Sequence, residues 1–315
     1  MGAHGRVHKV DFVAAPWPIA IMLAAIPFPD ISPDLFSIDI GSFTLALRWY
    51  ALAYIVGIII GWRLAVRLVR NAGIWADGAP MDTKQVEDLL TWIILGIILG
   101  GRLGYVLFYD PGHYLENPGQ IPAVWNGGMS FHGGFLGVIV AVYVFSRRHN
   151  LKIGNIADIL AICTPPGLLL GRVANFVNAE LWGRPTDVPW GVIFPGQAAQ
   201  DCAGIAIGAC ARHPSQLYEA VLEGLLLGGV LLFLAFRRGW LKTPWMLTAL
   251  FFAGYGCARF IVEFFRQADD LFINADNPLG HVVGTASFGI TMGQVLSLPM
   301  ILIGVALFLW ARRRA

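Results

Sequence analysis

Long apolar stretches alternate with short polar segments along most of the chain, and this pattern predicts a bundle of membrane-spanning helices. A helix needs about 20 apolar residues to cross a bilayer, and most of the stretches have roughly this length. We expect an all-α polytopic integral membrane protein with seven transmembrane helices. The predicted spans are Phe43–Trp62, Val86–Phe108, Gly133–Phe145, Ile153–Val177, Leu217–Phe236, Trp245–Phe265 and Thr291–Trp310.

The composition supports this fold class. Of 315 residues, 57% are hydrophobic and only 13% are charged, whereas soluble domains carry about 25% charged residues. A soluble fold could not bury so much apolar surface. We therefore expect membrane lipid, and no nucleic acid, among the partners.

The basic residues predict the orientation, because cytoplasmic loops of membrane proteins carry an excess of lysine and arginine. Basic clusters follow the first, third, fifth and seventh predicted spans, all on one side of the bilayer. The amino terminus is therefore predicted outside and the carboxyl terminus in the cytoplasm. The clusters are Arg63, Arg67, Arg70 and Lys84; Arg147, Arg148 and Lys152; Arg237, Arg238 and Lys242; and Arg312, Arg313 and Arg314.

Residues 1–42 form a separate amino-terminal extension in this interpretation. The apolar run Phe12–Phe28 contains Pro16, Pro18 and Pro27, which favours an interfacial segment over a span. A signal peptide is the alternative, but no small-x-small cleavage site follows. Residues 43–315 then form one transmembrane domain with a long outer loop at 178–216. We find no metal-ligand spacing and no nucleotide-binding loop, so neither a metal nor a cofactor is expected.

The four cysteines divide by environment. Cys163 and Cys257 lie in predicted spans, whereas Cys202 and Cys210 lie in the outer loop. An oxidising compartment permits a disulfide between the second pair. Two unpaired thiols are the alternative, because sequence spacing does not show geometry.

His132 is the first candidate for chemistry, at the outer entrance of the third predicted span. Imidazole takes up a proton near neutral pH, and Gly133 and Gly134 permit close approach to the backbone. The alternative interpretation is a histidine with a capping or interfacial role at the start of a helix.

A second candidate closes the fourth span, where the sequence reads Gly-Arg-Val-Ala-Asn-Phe-Val-Asn-Ala-Glu from Gly171 to Glu180. An arginine within an apolar span costs about 2.5–3.5 kcal/mol on insertion scales, and such residues usually face a partner or a cavity. Arg172 and Asn175 share one helical face. The segment predicts a polar pocket, with an interhelical polar clamp as the alternative.

The third candidate is Tyr255, Arg259 and Glu263, spaced four residues apart along the sixth span. This spacing places them on one face, with the carboxylate able to orient the guanidinium. A buried structural salt bridge is the alternative. Arg102 is interpreted as structural, pairing with Asp158 or with this network.

Two arginines and one histidine in one bundle suit an anionic headgroup, because guanidinium matches phosphate oxygens in a bidentate manner. A membrane enzyme that acts on a phospholipid would need such groups.

Residues 171–183 resemble the signature of the bacterial phosphatidylglycerol–prolipoprotein diacylglyceryl transferases. The resemblance extends over about residues 42–312. It departs in the extension before Ser42 and in the stretch Ala198–Ala211. The other matching segments are Arg48–Tyr54, Gly101–Tyr105, Ser130–Gly134, His213–Glu219 and Gly254–Arg266.

This family implies a seven-span protein of the bacterial inner membrane with its active site toward the periplasmic half. It implies transfer of diacylglyceryl from phosphatidylglycerol to the lipobox cysteine in the signal peptide of a prolipoprotein, with glycerol phosphate released. His132 would assist deprotonation of the thiol, and Arg172 and Arg259 would bind the phosphate. Glu263 would hold Arg259, and the remaining residues, Tyr50, Asn175, Glu180 and Tyr255, would bind the headgroup or line its pocket.

Two other classes fit the sequence less well. A transporter or binder of an anionic phospholipid would use the same arginines, but we see no internal repeats with broken helices. An intramembrane serine protease would need a Gly-x-Ser-x-Gly-like nucleophile in a span, and the sequence has none.

Overall fold

The chain is mostly helical. A computed structural model describes residues 25–41, 43–202, 210–274, 276–285 and 288–314. Within these residues, seven helices of at least 17 residues overlap the predicted spans: α1 Trp49–Arg70, α2 Thr83–Phe108, α3 Phe131–Arg148, α4 Ile153–Val177, α5 Ser215–Arg237, α6 Met246–Val262 and α7 Met292–Arg312.

Five of these helices, namely α1, α2, α4, α5 and α7, are long and apolar enough to cross a membrane. α6 is apolar but has only 17 residues, and α3, with 18 residues, is long enough but less apolar than the five. The chain is thus a multi-pass membrane protein by the length and composition of its helices.

The predicted start of the first span at Phe43 is wrong. Residues Phe43–Arg48 form a β-strand that pairs antiparallel with Asp34–Ile40, and α1 begins only at Trp49. Gly41 lies in the connecting turn with φ 65°, a conformation that glycine adopts without steric cost. The sequence of this segment alternates apolar with polar or small residues, which favours a strand over a helix.

The all-α assignment therefore needs correction outside the bundle. A second antiparallel pair, His281–Gly284 with Gly289–Thr291, leads directly into α7. Each of these sheets consists of only two short strands, so the helices still determine the architecture.

The helix starts follow from local capping. Asp82 and Gln85 form a reciprocal capping box at the start of α2, and Thr291 and Gln294 form another at the start of α7. Such boxes satisfy backbone N–H groups that the first turn leaves unpaired. Ser130 caps α3 by accepting from the Gly133 amide at 3.2 Å, so α3 begins two residues before the predicted Gly133.

Glycines bring α2 and α3 into direct backbone contact. A Cβ built on Gly100 would lie 2.4 Å from the carbonyl oxygen of Gly133, and one on Gly137 would lie 2.0 Å from that of Gly96. Only glycine fits at such distances, and small residues at four-residue spacing are the usual basis of close helix packing in membranes. We call Gly96, Gly100 and Gly104 on α2, with Gly133 and Gly137 on α3, the glycine seam.

α4 packs against α1, α5 and α6, even though Pro165 and Pro166 lie within it. Proline is tolerated in membrane helices where neighbouring groups satisfy the freed carbonyls. An apolar core joins the helices on the side of the basic clusters. Its most buried members include Leu68, Leu89, Phe145, Ile156, Leu231 and Leu247.

The chain divides into two compact units. The unit with the seven helices comprises 30–184 and 214–315. In the other unit, Ile26–Pro27 pairs in parallel with Val192–Ile193, and Cys202 and Cys210 form a disulfide, which decides between the two alternatives for these thiols. The predicted interfacial run starts at residue 12, and its residues before 25 lie outside the described part.

Candidate functional site

Glu219 on α5 joins three arginines in the interior of the bundle. Its side chain is 1% exposed and contacts Arg172 on α4, Arg259 on α6 and Arg266 just beyond α6. Arg172 Nε lies 2.9 Å from Glu219 Oε2, and Arg266 Nη1 lies 3.3 Å from Oε1. A buried carboxylate needs such partners to offset its desolvation.

Glu263 forms the second acidic member of this group. It pairs with Arg259 four residues earlier on α6, so the predicted Arg259–Glu263 pair is confirmed. Thr291 donates its hydroxyl to the other carboxylate oxygen at 2.8 Å. A Cβ on Gly293 would lie 2.3 Å from Glu263 Cδ, so glycine at the start of α7 leaves the space that this carboxylate fills.

Glu223 is the third carboxylate, one helical turn after Glu219. It is fully buried, and its nearest described cation is Arg172, with Nη2 at 3.8 Å from Oε2. Neither Glu223 oxygen has a hydrogen-bond partner among the described residues. Residues Ala220–Leu226 adopt π-helical geometry, which changes the register between the two glutamates, and π-helical turns are frequent at functional sites. We call Arg172, Arg259, Arg266, Glu219, Glu223 and Glu263 the ion cluster.

The turn after α4 places Glu180 beside Asn175. Ala179 and Leu181 adopt positive φ angles of 53° and 57°, which cost energy for residues with a Cβ. Asn175 Nδ2 donates to Glu180 Oε1 at 2.7 Å, and Gln216 on α5 donates to the Glu180 carbonyl. The strained turn is thus held in place and fixes one carboxylate next to the end of α4.

Two predicted tyrosines lie near the arginines. Tyr50 on α1 interacts electrostatically with Glu180 and Arg172, and its hydroxyl lies 3.1 Å from that of Tyr54. Tyr255 on α6 interacts with Arg172 and Arg259. Tyr50 and Tyr255 therefore lie near Arg172, and Glu263 pairs with Arg259, while Asn175 and Glu180 contact each other at the end of α4.

Arg184 joins the loop after α4 to the segment after α6. Its amide donates to the Phe265 carbonyl at 2.8 Å, and its Nε donates to the Arg266 carbonyl at 2.9 Å. Burial lowers the pKa of the Arg184 guanidinium, while the charge of Glu263 acts in the opposite direction. A further cation thus lies close to the cluster.

His132 occupies a different position. It is exposed in the first turn of α3, and its ring packs edge-on against Phe131 with centroids 5.7 Å apart. No described hydrogen bond or ion pair joins it to the ion cluster. Its role in the chemistry stays a prediction.

Arg102 has partners other than those predicted from sequence. It does not pair with Asp158, because its guanidinium donates to the carbonyls of Gln120, Ile121, Gly127 and Gly128 at 2.7–3.1 Å. Asp158 instead accepts from backbone and side-chain groups at the start of α6. Arg102 therefore holds the loop before α3, and its structural interpretation is retained.

Open space adjoins the cluster. A cavity of about 140 Å³ lies where Arg259, Glu263 and Arg266 meet Thr291 and Gly293. The arginines are thus accessible, with side-chain exposures of 16–18%.

Glu219, Glu223 and Arg266 belong to the site but are not among the residues predicted from the sequence. Glu219 and Glu223 are spaced four residues apart within an apolar span, the same signal that selected Arg172. Arg266 directly follows the predicted sixth span, which ends at Phe265. The two acidic residues within the fifth apolar span therefore also predict a polar site in the bundle.

A cluster of three cations and three carboxylates among apolar helices can bind an anion and stabilise negative charge that develops in a transition state. The cations are arginines, which suit phosphate.

Comparison with known proteins identifies the group to which the chain belongs. The family model described as prolipoprotein diacylglyceryl transferase matches residues 35–310. Curated relatives named phosphatidylglycerol–prolipoprotein diacylglyceryl transferase include one from Cereibacter sphaeroides, 61% identical over 93% of this chain and 100% of the relative. A relative from Roseobacter denitrificans has the same identity and coverage. One from Rhizobium meliloti is 47% identical over 94% of this chain and 96% of the relative. The chain belongs to the prolipoprotein diacylglyceryl transferase family.

Proposed function

We propose that this chain transfers the diacylglyceryl group of phosphatidylglycerol to the lipobox cysteine of a prolipoprotein. The observation that carries the proposal is the meeting of Arg172 and Arg259 at one buried carboxylate, next to a cavity that Arg259 lines, in a bundle that matches this transferase family. The products are a thioether on the prolipoprotein and free glycerol phosphate.

The bonds that change follow from these products. A thioether joins sulfur to carbon, so the sulfur attacks the glyceryl carbon that carries the phosphate. The bond between that carbon and the phosphate oxygen breaks, and the oxygen leaves with both electrons. The leaving glycerol phosphate gains negative charge, which Arg172 and Arg259 stabilise by charge-assisted hydrogen bonds.

The thiol must lose its proton, because a free cysteine with a pKa near 8.5 carries little thiolate at neutral pH. His132 accepts this proton in the proposed mechanism, since an imidazole is a base near pH 7. Its exposure at the start of α3 leaves it open to an incoming peptide.

The remaining predicted residues orient the lipid. Glu263 holds Arg259, while Asn175 and Glu180 hydrogen-bond the glycerol headgroup or shape its cavity. Tyr50 and Tyr255 line the pocket beside Arg172.

We further propose seven transmembrane spans, with α3 and α6 as the two beyond the five long apolar helices. The amino terminus lies outside and the carboxyl terminus in the cytoplasm of a bacterial inner membrane. The ion cluster then lies toward the outer half, because the basic clusters mark the opposite side.

A direct experiment incubates the purified protein with phosphatidylglycerol and a peptide that contains a lipobox cysteine, followed by mass measurement of the peptide. We expect a mass gain of one diacylglyceryl group. A peptide with serine in place of the cysteine is the matched control and should gain nothing. An unchanged cysteine peptide, with lipid bound to the protein, would contradict the transferase proposal and favour a phospholipid binder.

A further inference from the structure

A cavity of about 680 Å³ lies between the end of α1 and the start of α2. Arg63, Arg67 and Arg70 contribute to its wall from α1, and Thr83 and Glu87 contribute from α2. The three arginines lie at intervals of four and three residues, which places them along one helical face. We call this cavity the arginine cleft.

The arginines of the cleft differ from those of the ion cluster in having no acidic partner in the part of the chain that the structure describes. Within the described residues, no carboxylate lies within 4.0 Å of Arg63, Arg67 or Arg70. Glu87 is the single acidic residue of the lining. Three positive charges and one negative charge leave the cleft with an excess of two positive charges, so it attracts an anion.

The cleft also has apolar walls, and an aromatic ring holds one of its guanidinium groups in place. Trp62 and Val66 line it together with the arginines, and Arg67 lies over the ring of Phe236 at 5.6 Å from its centroid. This contact orients one guanidinium. A cationic surface next to a tryptophan matches the interface between headgroups and acyl chains.

The cleft is distinct from the ion cluster. Arg63 follows Tyr50 by 13 residues on the same helix, which corresponds to about 20 Å along the axis at 1.5 Å per residue. Tyr50 lies near Arg172, so the arginine cleft is at the opposite end of α1.

We propose that the arginine cleft binds the phosphate headgroup of an anionic phospholipid and that this lipid bridges the ends of α1 and α2. The chemistry shared with free phosphate is guanidinium–phosphate pairing, and the apolar contribution of Trp62 and Val66 favours the lipid. The inference does not depend on the transferase reaction.

The test uses the full-length purified protein in a neutral detergent with phosphatidic acid as probe, because this lipid is anionic and lacks the glycerol headgroup. The triple variant R63Q/R67Q/R70Q is compared with wild type. Each basic residue near a lipid surface contributes a factor of roughly five to anionic lipid binding, so the dissociation constant should rise roughly a hundredfold. Native mass spectrometry at increasing lipid concentrations measures this constant.

A matched control removes three cations from the same side of the protein outside the cleft. The variant R237Q/R238Q/K242Q carries the same charge change at exposed positions and should bind phosphatidic acid as wild type does. Equal losses in both variants, or unchanged binding in the cleft variant, would overturn the proposal. Displacement of the lipid by millimolar inorganic phosphate would also overturn it, because the site would then take a free anion.

Two further measurements separate the cleft from folding and from transfer. The single variant R70Q removes one exposed guanidinium and should weaken binding roughly fivefold. The transfer rate of the triple variant with phosphatidylglycerol should stay near that of wild type, which would show a folded protein. The proposal requires that the three arginines share the phosphate. It would be contradicted if the triple variant lost lipid binding while each of the single variants R63Q, R67Q and R70Q bound the lipid as tightly as wild type.

Discussion

The glycine seam and the ion cluster hold neighbouring helices together by opposite means. Along the seam, α2 and α3 meet with backbone against backbone, and a Cβ on Gly137 would lie 2.0 Å from a carbonyl oxygen. In the cluster, α4, α5 and α6 meet through long charged side chains centred on Glu219. The first relies on the absence of side chains, and the second relies on pairing between arginines and carboxylates.

The difference matters because each region carries a different part of the proposed chemistry. His132 lies one residue before Gly133 of the seam, so packing of the seam fixes the position of the proposed base. Arg172 and Arg259 are positioned by the cluster itself. A rigid seam can hold an exposed histidine, whereas the cationic phosphate ligands Arg172 and Arg259 are held by carboxylates of opposite charge.

Removing Glu219 should have the largest effect of any single change in either region. Glu219→Ala leaves Arg172, Arg259 and Arg266 without their common partner, and breaking a buried ion pair costs about 3–5 kcal/mol. We expect a large loss of stability together with loss of transfer. Thermal unfolding in detergent and the initial transfer rate measure the two effects.

Glu263→Ala is the matched comparison for this prediction. Glu263 contacts Arg259 and, at 4.0 Å, Arg266, but has no contact with Arg172, so its removal should destabilise less. Equal stability losses for the two variants would contradict the central position of Glu219.

Substituting His132 should lower transfer strongly without affecting folding. General base catalysis contributes about 10²–10⁴-fold, and the exposed ring has little packing to lose. We expect His132→Ala to unfold at the wild-type temperature and to regain part of its rate at higher pH, where the substrate thiol ionises unaided. A wild-type rate at neutral pH would remove His132 from the mechanism.

Charged residues within apolar spans made much of the ion cluster predictable from the sequence. Arg172, Arg259 and Glu263 stood out because each interrupts an apolar stretch. The common contact with Glu219 was not predictable, because it depends on which helices are neighbours and on the π-helical register of Ala220–Leu226.

The errors in the fold prediction have equally physical origins. Phe43–Arg48 is as apolar as a helix start, and hydropathy alone does not separate a strand from a helix in a short apolar run. The sequence predicts a carboxylate partner for Arg102. Backbone carbonyls of a folded loop can accept the hydrogen bonds of a guanidinium equally well, and the sequence alone does not show which loop lies beside Arg102. The bounds of α4 were predicted to the residue, Ile153 to Val177, since polar segments flank it on both sides.

Replacing Arg172 by lysine tests whether the cluster supplies shape as well as charge. Lysine keeps the charge but cannot form the planar two-pronged contact with phosphate. We expect transfer to fall by about 10²-fold, similar to the loss of one transition-state donor, with a smaller change in stability. The initial rate is measured against phosphatidylglycerol concentration at matched amounts of folded protein. A wild-type rate and concentration dependence would return Arg172 to a structural role.

Adding one methyl group to the seam should destabilise the protein more moderately. Gly137→Ala places its Cβ against the Gly96 carbonyl, so α2 and α3 must separate, and overpacking typically costs about 1–3 kcal/mol. Gly229→Ala on α5 is the matched control, because a Cβ there meets no atom within 4 Å. We expect thermal unfolding at a lower temperature for the first variant and an unchanged or slightly higher one for the second. The reverse order would show that close backbone contact does not determine the packing of α2 against α3.

The smallest effect is expected for a charge pair outside both regions, and it tests whether burial distinguishes the ion cluster from ordinary surface charges. Asp77 pairs with Lys152 at 2.5 Å, and both side chains are more than half exposed. The Lys152 hydrogen bond and charge lower the pKa of the Asp77 carboxyl, so the ionised form is favoured in the folded state. The resulting stabilisation is present above the unfolded-state pKa and is lost as the pH falls through the folded-state value.

Salt and water screen such exposed pairs, so Asp77→Asn should leave the unfolding temperature at pH 7 unchanged within error, at low and at high salt. A decrease as large as that of Gly137→Ala would mean that pairing itself, rather than pairing of buried charges, stabilises this bundle.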